Sequence, residues 1–307
     1  MHMENGAMNA LITTLALVAG LSLAADAPAQ SYPSKSVRVV IPLSAGSGVD
    51  LVGRSVSQKL SSMWGQPVVV DNRSGAGGTI GTAIVAKAPP DGYTVLISGS
   101  SHAANPSVYA TLPYDALNDF MGIAPLASLP QALLVAPSAG VKSVSELIGT
   151  AKARPGILTF ATPGAGTGNH FASEKFRLMA GIDVVHVPFK GGPEAMTDVM
   201  TGRVTFLLNS IGAALPFIQG GKLLALGVSS PRRSTRLPDV PTIAESGLAD
   251  FQSSLWFGLW VPRGTSARVV DKLARDTAHV LAESDMREVL RNLSAEPMKM
   301  TPTEFSS

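Results

Sequence analysis

The chain has no cysteine among its 307 residues. That excludes a disulfide scaffold, a thiolate metal site and a cysteine nucleophile. Charge is also scarce. Only 15% of residues are charged and the net charge is +2, which leaves no electrostatic footprint for nucleic acid. No Gly-x-Ser-x-Gly elbow, no His-Glu-x-x-His pair and no glycine loop ending in Gly-Lys-Ser/Thr occurs. The sequence therefore lacks the marks of an α/β-hydrolase, a zinc protease and a P-loop nucleotidase. Long apolar runs are missing too. The longest charge-free apolar run, Ala10 to Ala25, is shorter than the ~20 residues a membrane-spanning helix needs. What remains is 45% hydrophobic, enough for a large core and too much for a disordered chain.

The Ala10–Ala25 run is followed by Ala27-Pro28-Ala29, the small-x-small form of a signal-peptidase site. Residues 1–29 are read as a secretory signal, with an N-terminal membrane anchor as the alternative. The run is preceded by no Lys or Arg, unlike an ordinary signal. Export of a cysteine-free chain points to the periplasm.

After Gln30, short β-rich runs alternate with capped helical runs. Strands are expected at Val37–Ile41, Pro67–Asp71 and Tyr93–Ile97. Helices are expected from about Asp50, opened by a Ser47-x-x-Asp50 capping box, and over Thr79–Ala88. The pattern restarts with strands at Ala132–Ala136, Leu158–Ala161, Val184–Val187, Val204–Leu208 and Leu223–Val228. Its helices run from Ser143-x-x-Glu146 to Ala153, from about Asn169 to Ala180 and over Glu194–Thr201. A proline-rich loop, Pro231–Pro241, precedes a strand at Trp256–Val261 and a helix at Ala267–Glu283. Such alternation implies an α/β fold with mostly parallel sheets. Two series with a returning tail suggest two lobes. Lobe 1 is residues 30–127 plus 252–307, and lobe 2 is residues 128–251.

Three glycine loops stand at strand-to-helix turns: Pro42–Asp50, Asn72–Thr79 and Pro163–His170. Each would offer unhindered amides at the positive end of a helix, a ready anion site. The dinucleotide spacing Gly-x-Gly-x-x-Gly fails, because Ile80 and Asn169 stand where third glycines would be needed. No nucleophile, base and orienting group assemble. His170 and Glu174 share a helix face, as a surface contact or a metal pair, and His186 reads as a core histidine. Trp256, Phe257 and Trp260 are core or an aromatic wall beside a ligand.

These loops, with Val69-Val70-Asp71-Asn72-Arg73-Ser74-Gly75-Ala76-Gly77-Gly78, Pro89-Pro90-Asp91-Gly92-Tyr93, Val187-Pro188-Phe189-Lys190-Gly191-Gly192 and Trp256-Phe257-Gly258-Leu259, resemble the Bug family. Bug proteins are the periplasmic receptors of tripartite tricarboxylate transporters. The resemblance runs through nearly all of 31–306. It implies a two-lobed Venus-flytrap fold that closes on a small organic carboxylate, held largely by loop amides and water. It implies delivery to integral-membrane transporter subunits, a monomer, no cofactor, no metal and no enzymatic activity. Carried over by position, the ligand-binding residues are Ser44, Ala45, Gly46, Ser47 and Asp50 of the first loop. Ala76 and Gly77 come from the second loop and Ser98 from the next strand end. Gly166, Thr167, His170, Asp198 and Asn209 come from lobe 2. Asp50 is assigned mainly to orienting loop amides.

Three departures stand out. Ser47 replaces a glycine, Met121-Gly122 replaces a small residue and proline, and the chain ends just after Thr301–Phe305, where the resemblance implies a further helix. Loss of that helix is expected to expose apolar surface on lobe 1. Two rival functions remain: an exported α/β hydrolase or isomerase with His170 as base, and a sensor subunit for a membrane kinase. Di- and tricarboxylates or an aromatic acid fit the ligand equally.

Overall fold

A computed structural model describes residues 31–298, 300–301 and 304–305. The proposed signal segment, 1–29, lies outside the described residues. All elements named below belong to the unit Lys35–Ser307.

The first series is β1 (Val37–Ile41), α1 (Gly48–Trp64), β2 (Val68–Asn72), α2 (Thr79–Ala86), β3 (Thr94–Gly99) and α3 (Ser100–Val108). A long strand, β4 (Phe120–Val135), leads into the second series. This comprises α4 (Val144–Ala153), β5 (Thr159–Thr162), α5 (Gly168–Ala180), β6 (Val185–Pro188), α6 (Gly192–Met200), β7 (Phe206–Ser210), α7 (Ile211–Gln219) and β8 (Leu224–Val228). The chain returns through β9 (Ser254–Pro262), α8 (Ala267–Ala282), α9 (Ser284–Asn292) and the short β10 (Glu296–Pro297).

Strands joined by βα units pair in parallel: β1 with β2 and β3, and β5 with β6 and β7. The crossing strands do not. β9 is antiparallel to β3 and β4, and β4 is antiparallel to β7, β8 and β10. The expectation of mostly parallel sheets is thus corrected to mixed ones. β4 and β9 connect the two halves instead of closing a βα unit within one, and each lies antiparallel to its partners.

β4 joins the halves directly. Its residues 120–130 pair with β9, and residues 131–135 pair with β7 and β8. Sequence periodicity finds only the second stretch. The first carries Gly122 and Pro125, which coincide with two register shifts against β9, as strand glycine and proline do at bulges. Where β4 changes partners, three buried or half-buried polar groups tie the strands together. Ser229 Oγ accepts from the Gln131 amide at 2.8 Å and donates to the Ser253 carbonyl at 2.6 Å, while the Ser253 amide donates to Ser229 O.

The second half is three-layered. Leu133, Val135, Phe160 and Phe206 face one buried cluster, and Ala132, Leu134, Ala161 and Leu207 face the other. Burial on both sides is why these strands read as continuous apolar runs. Each large side chain contributes roughly 1.5–3 kcal/mol. Three helices escape the sequence reading. α3 contains Pro106 and little apolar periodicity, α7 starts directly from the last residue of β7, and α9 is split from α8 only by an extended Glu283.

Candidate functional site

The carboxyl ends of the parallel strands in both halves open onto one crevice. Four helices begin there, and their first residues, Gly48 of α1, Ser100 of α3, Gly168 of α5 and Gly192 of α6, all line a shared cavity of about 20 Å³. The first amides of a helix have no intrahelical acceptor. Four positive helix ends, two from each half, therefore converge on a space that holds about one water. No Lys or Arg lines it.

The two loops facing each other are built alike. Gly46-Ser47-Gly48-Val49-Asp50 and Gly166-Thr167-Gly168-Asn169-His170 each place a left-handed glycine, φ +77° and +78°, before an extended N-cap residue. In each, the glycine amide donates to the side chain four residues on: Gly46 to Asp50 Oδ2 at 2.9 Å, Gly166 to His170 Nδ1 at 3.3 Å. In each, the N-cap amide donates back three residues, Ser47 to Ser44 O and Thr167 to Gly164 O.

They differ in the hydroxyl. Thr167 Oγ1 accepts from the His170 amide and donates to Gly164 O. Ser47, by contrast, makes no side-chain cap bond. The expected capping box is therefore only half formed: Asp50 reaches back to the loop, but Ser47 Oγ is buried without a partner. Ser47 sits at φ −71°, so replacing a glycine there costs no strain. Ser98 Oγ and Asn209 Nδ2, both cavity-lining, are likewise buried and unpartnered. Such groups lose free energy unless something supplies the missing bond. Asp50 does not repel an anion from this position. It is bound by Arg54 at 2.8 Å and by Asn72 at 2.9 Å, neither of which lines the cavity.

Of the residues named from sequence, Ser47, Ser98 and Asn209 line the cavity. Gly46, Asp50, Thr167 and His170 shape the two loops, and Ala45 is exposed. Ser44, Ala76, Gly77 and Gly166 lie at the rims. Ser44 Oγ donates to Lys190 O at 3.2 Å, and Gly77 and Gly164 approach one another across the crevice. Ala76 holds a left-handed φ of +46°. Asp198 stands apart: it lies six residues into α6 from Gly192, close to Arg203 at 3.5 Å, and does not line the cavity. Sequence reading missed the α3 N-terminus (Ser100, Ser101), because that helix has no periodic signal. It also missed Gly168, Asn169 and Gly192 as lining groups.

His170 is placed for structure. Its Nδ1 is occupied by the Gly166 amide and its ring stacks on His186 at 4.4 Å. Burial holds it below the ordinary imidazole range, against a weaker opposing pull from Glu174. His186, bonded to Thr162 Oγ1 at 2.6 Å, is pushed down to about 4, mainly by burial and then by His170. No cluster of three metal-ligating side chains exists among the described residues. The aromatic wall is corrected as well. Of the three β9 aromatics only Phe257 reaches the cavity, beside Leu255, whereas Trp256 and Trp260 project from the opposite face and line a separate groove with Phe305. The three aromatics alternate on a strand, so they could not share one side.

A family model described as "Tripartite tricarboxylate transporter family receptor" matches residues 52–306. BugT of Bordetella pertussis is 35% identical over 289 residues, covering 94% of this chain and 89% of BugT. Among solved structures, R. palustris Rpa4515 with adipate superimposes with a TM-score of 0.86 at 35% identity, covering 89% of this chain and 91% of that one. MatC from Rhodopseudomonas palustris with bound malate gives 0.84 at 31% identity, covering 90% and 95%.

Proposed function

Because the chain belongs to the tripartite tricarboxylate transporter receptor family, a family of solute-binding receptors with a two-lobed α/β fold, we propose that it is a periplasmic receptor for a small di- or tricarboxylate. The observation that carries this reading is the cavity itself. Four helix N-termini and three unpartnered polar side-chain atoms meet there without a single cationic group. A carboxylate supplies what each of them lacks. Fixed neutral donors stabilise an anion through partial charges already in place, with no flexible Lys or Arg to order. The matching turns, one per lobe, favour a ligand acidic at both ends. Adipate and malate in the related structures have that form.

Closure is the working step. Ligand contacts on both lobes exist together only when the crevice is shut, so binding shifts the population toward the closed state. The lobes are taken as 30–127 with 252–307, and 128–251, turning about the Gln131–Ser229–Ser253 hinge. The loaded monomer is then offered to integral-membrane transporter subunits, a step that rests on the family. A sensor-kinase partner stands as the alternative recipient. Against the rival hydrolase or isomerase, His170 spends its acceptor nitrogen on a loop amide and lies outside the cavity lining.

A thermal-shift screen tests the ligand class. At a hundredfold excess over Kd, binding stabilises by ~2.7 kcal/mol, which for a chain of this size raises Tm by roughly 5–10 °C. Adipate, malate and citrate are the probes. A shift given only by neutral sugars or amino acids refutes the carboxylate assignment.

A further inference from the structure

Two hydrogen bonds cross the crevice mouth directly between loops of the two lobes. One is Ser44 Oγ to Lys190 O. The other joins the phenol of Tyr109, just past the end of α3, to the carbonyl of Ala165 at 3.1 Å. Ala165 lies in the lobe 2 turn that leads through Gly166 and Thr167 to the cavity-lining Gly168. The backbone around Tyr109 is cut to fit that turn. A Cβ on Gly77 would meet Ala165 O and lie 2.6 Å from Tyr109 Oη. One on Gly166 would lie 2.8 Å from Asn105 Oδ1 and 3.4 Å from the Tyr109 ring. Both glycines hold a left-handed φ, so neither position accepts a side chain without strain. Asn105 in turn donates to Gly77 O at 3.4 Å, tying the second glycine loop to the same helix.

We propose that Tyr109 is a positioning residue for ligand capture: its hydroxyl latches the lobe 2 turn to lobe 1 and sets the closed-to-open ratio. The inference rests on the reading that ligand is held in this crevice by closure. Tyr109 does not line the cavity and acts through Ala165 and the turn that follows. A bond present only in the closed state raises the closed population in proportion to its strength. It also slows release, because a bound solute leaves only when the latch breaks.

The cysteine-free chain permits a clean measurement. Exposed Lys87 on lobe 1 and Lys152 on lobe 2 are changed to cysteine, spin-labelled, and the interlobe distance distribution is recorded with and without adipate. Tyr109→Phe keeps the ring against Gly166 and removes only the donor. It is expected to lower the closed-to-open ratio without adipate about three- to tenfold, the range for one net hydrogen bond, with the circular dichroism unchanged. Adipate dissociation should accelerate by a similar factor. Tyr109→Ala should fall further. An unchanged ratio in both variants overturns the latch, as does a wild-type distribution with no closed population before adipate is added. If adipate fails to bind the wild type while Tyr109→Phe still opens it, the carboxylate reading falls and the latch stands.

Discussion

Ser47 and Ser98 make the sharpest test, because their hydroxyls should harm the empty protein and serve the loaded one. Each Oγ is buried with no partner, a state that costs about 1–3 kcal/mol when nothing completes the bond. Ser47→Ala or Ser98→Ala removes that penalty. Without ligand, Tm should hold or rise by a few degrees, at about 2–4 °C per kcal/mol for a chain of this size. Ser47 is extended at φ −71°, so alanine fits its backbone. Binding should move the other way. A hydrogen bond to a carboxylate is worth about 1.5–3 kcal/mol, so each substitution should weaken Kd for adipate about 10- to 100-fold. The two sites lie on separate elements, the α1 turn and the end of β3, and their losses should add if they grip different oxygens. Calorimetric titration gives the affinities, and differential scanning fluorimetry gives Tm. Affinities within twofold of wild type for both variants would refute the role assigned to these hydroxyls. So would a Tm loss of several degrees without ligand, since it would show that they have structural partners.

Two further predictions concern stability. His102 is buried among Tyr114, Phe120 and Trp260, and burial pushes its imidazole down to about 4. The unfolded chain takes up this proton first, so the contribution is intact above pH ~6.5 and falls as pH drops toward 4, by about 3 kcal/mol. In urea titrations His102→Phe should lose that part of the acid sensitivity, and an equal acid loss in variant and wild type contradicts it. Where β4 changes partners, Ser229→Ala strands the Gln131 amide and the Ser253 carbonyl. It should cost about 1–3 kcal/mol in the same assay, and an unchanged midpoint would show that this junction does not depend on the hydroxyl.

Three serines show what the sequence carried and what it withheld. Ser143-x-x-Glu146 and Ser47-x-x-Asp50 read as the same cap. At Ser143 the reading holds, because its Oγ accepts from the Glu146 amide at 3.1 Å and α4 begins where expected. At Ser47 the helix also begins on time, yet the hydroxyl turns into the crevice. Local pattern fixes where a helix starts, since an acidic side chain can hold the loop without the serine. It says nothing of where a freed hydroxyl points, which depends on a second half of the molecule more than a hundred residues away. Ser229 carried no signal at all, because it ties together segments distant in sequence. The same limit governs the elements. βα units with strong periodicity were legible, and so was a crevice between two glycine-turn series. The crossing strand β4, the aperiodic α3 and the opposite facing of Phe257 from Trp256 and Trp260 exist only through partners remote in sequence. Serine→alanine should therefore raise or spare stability at 47 and 98 and lower it at 229, a difference in sign for one chemical change. Composition and motif cannot yield that sign, because it is set by whether the protein or a ligand completes the bond.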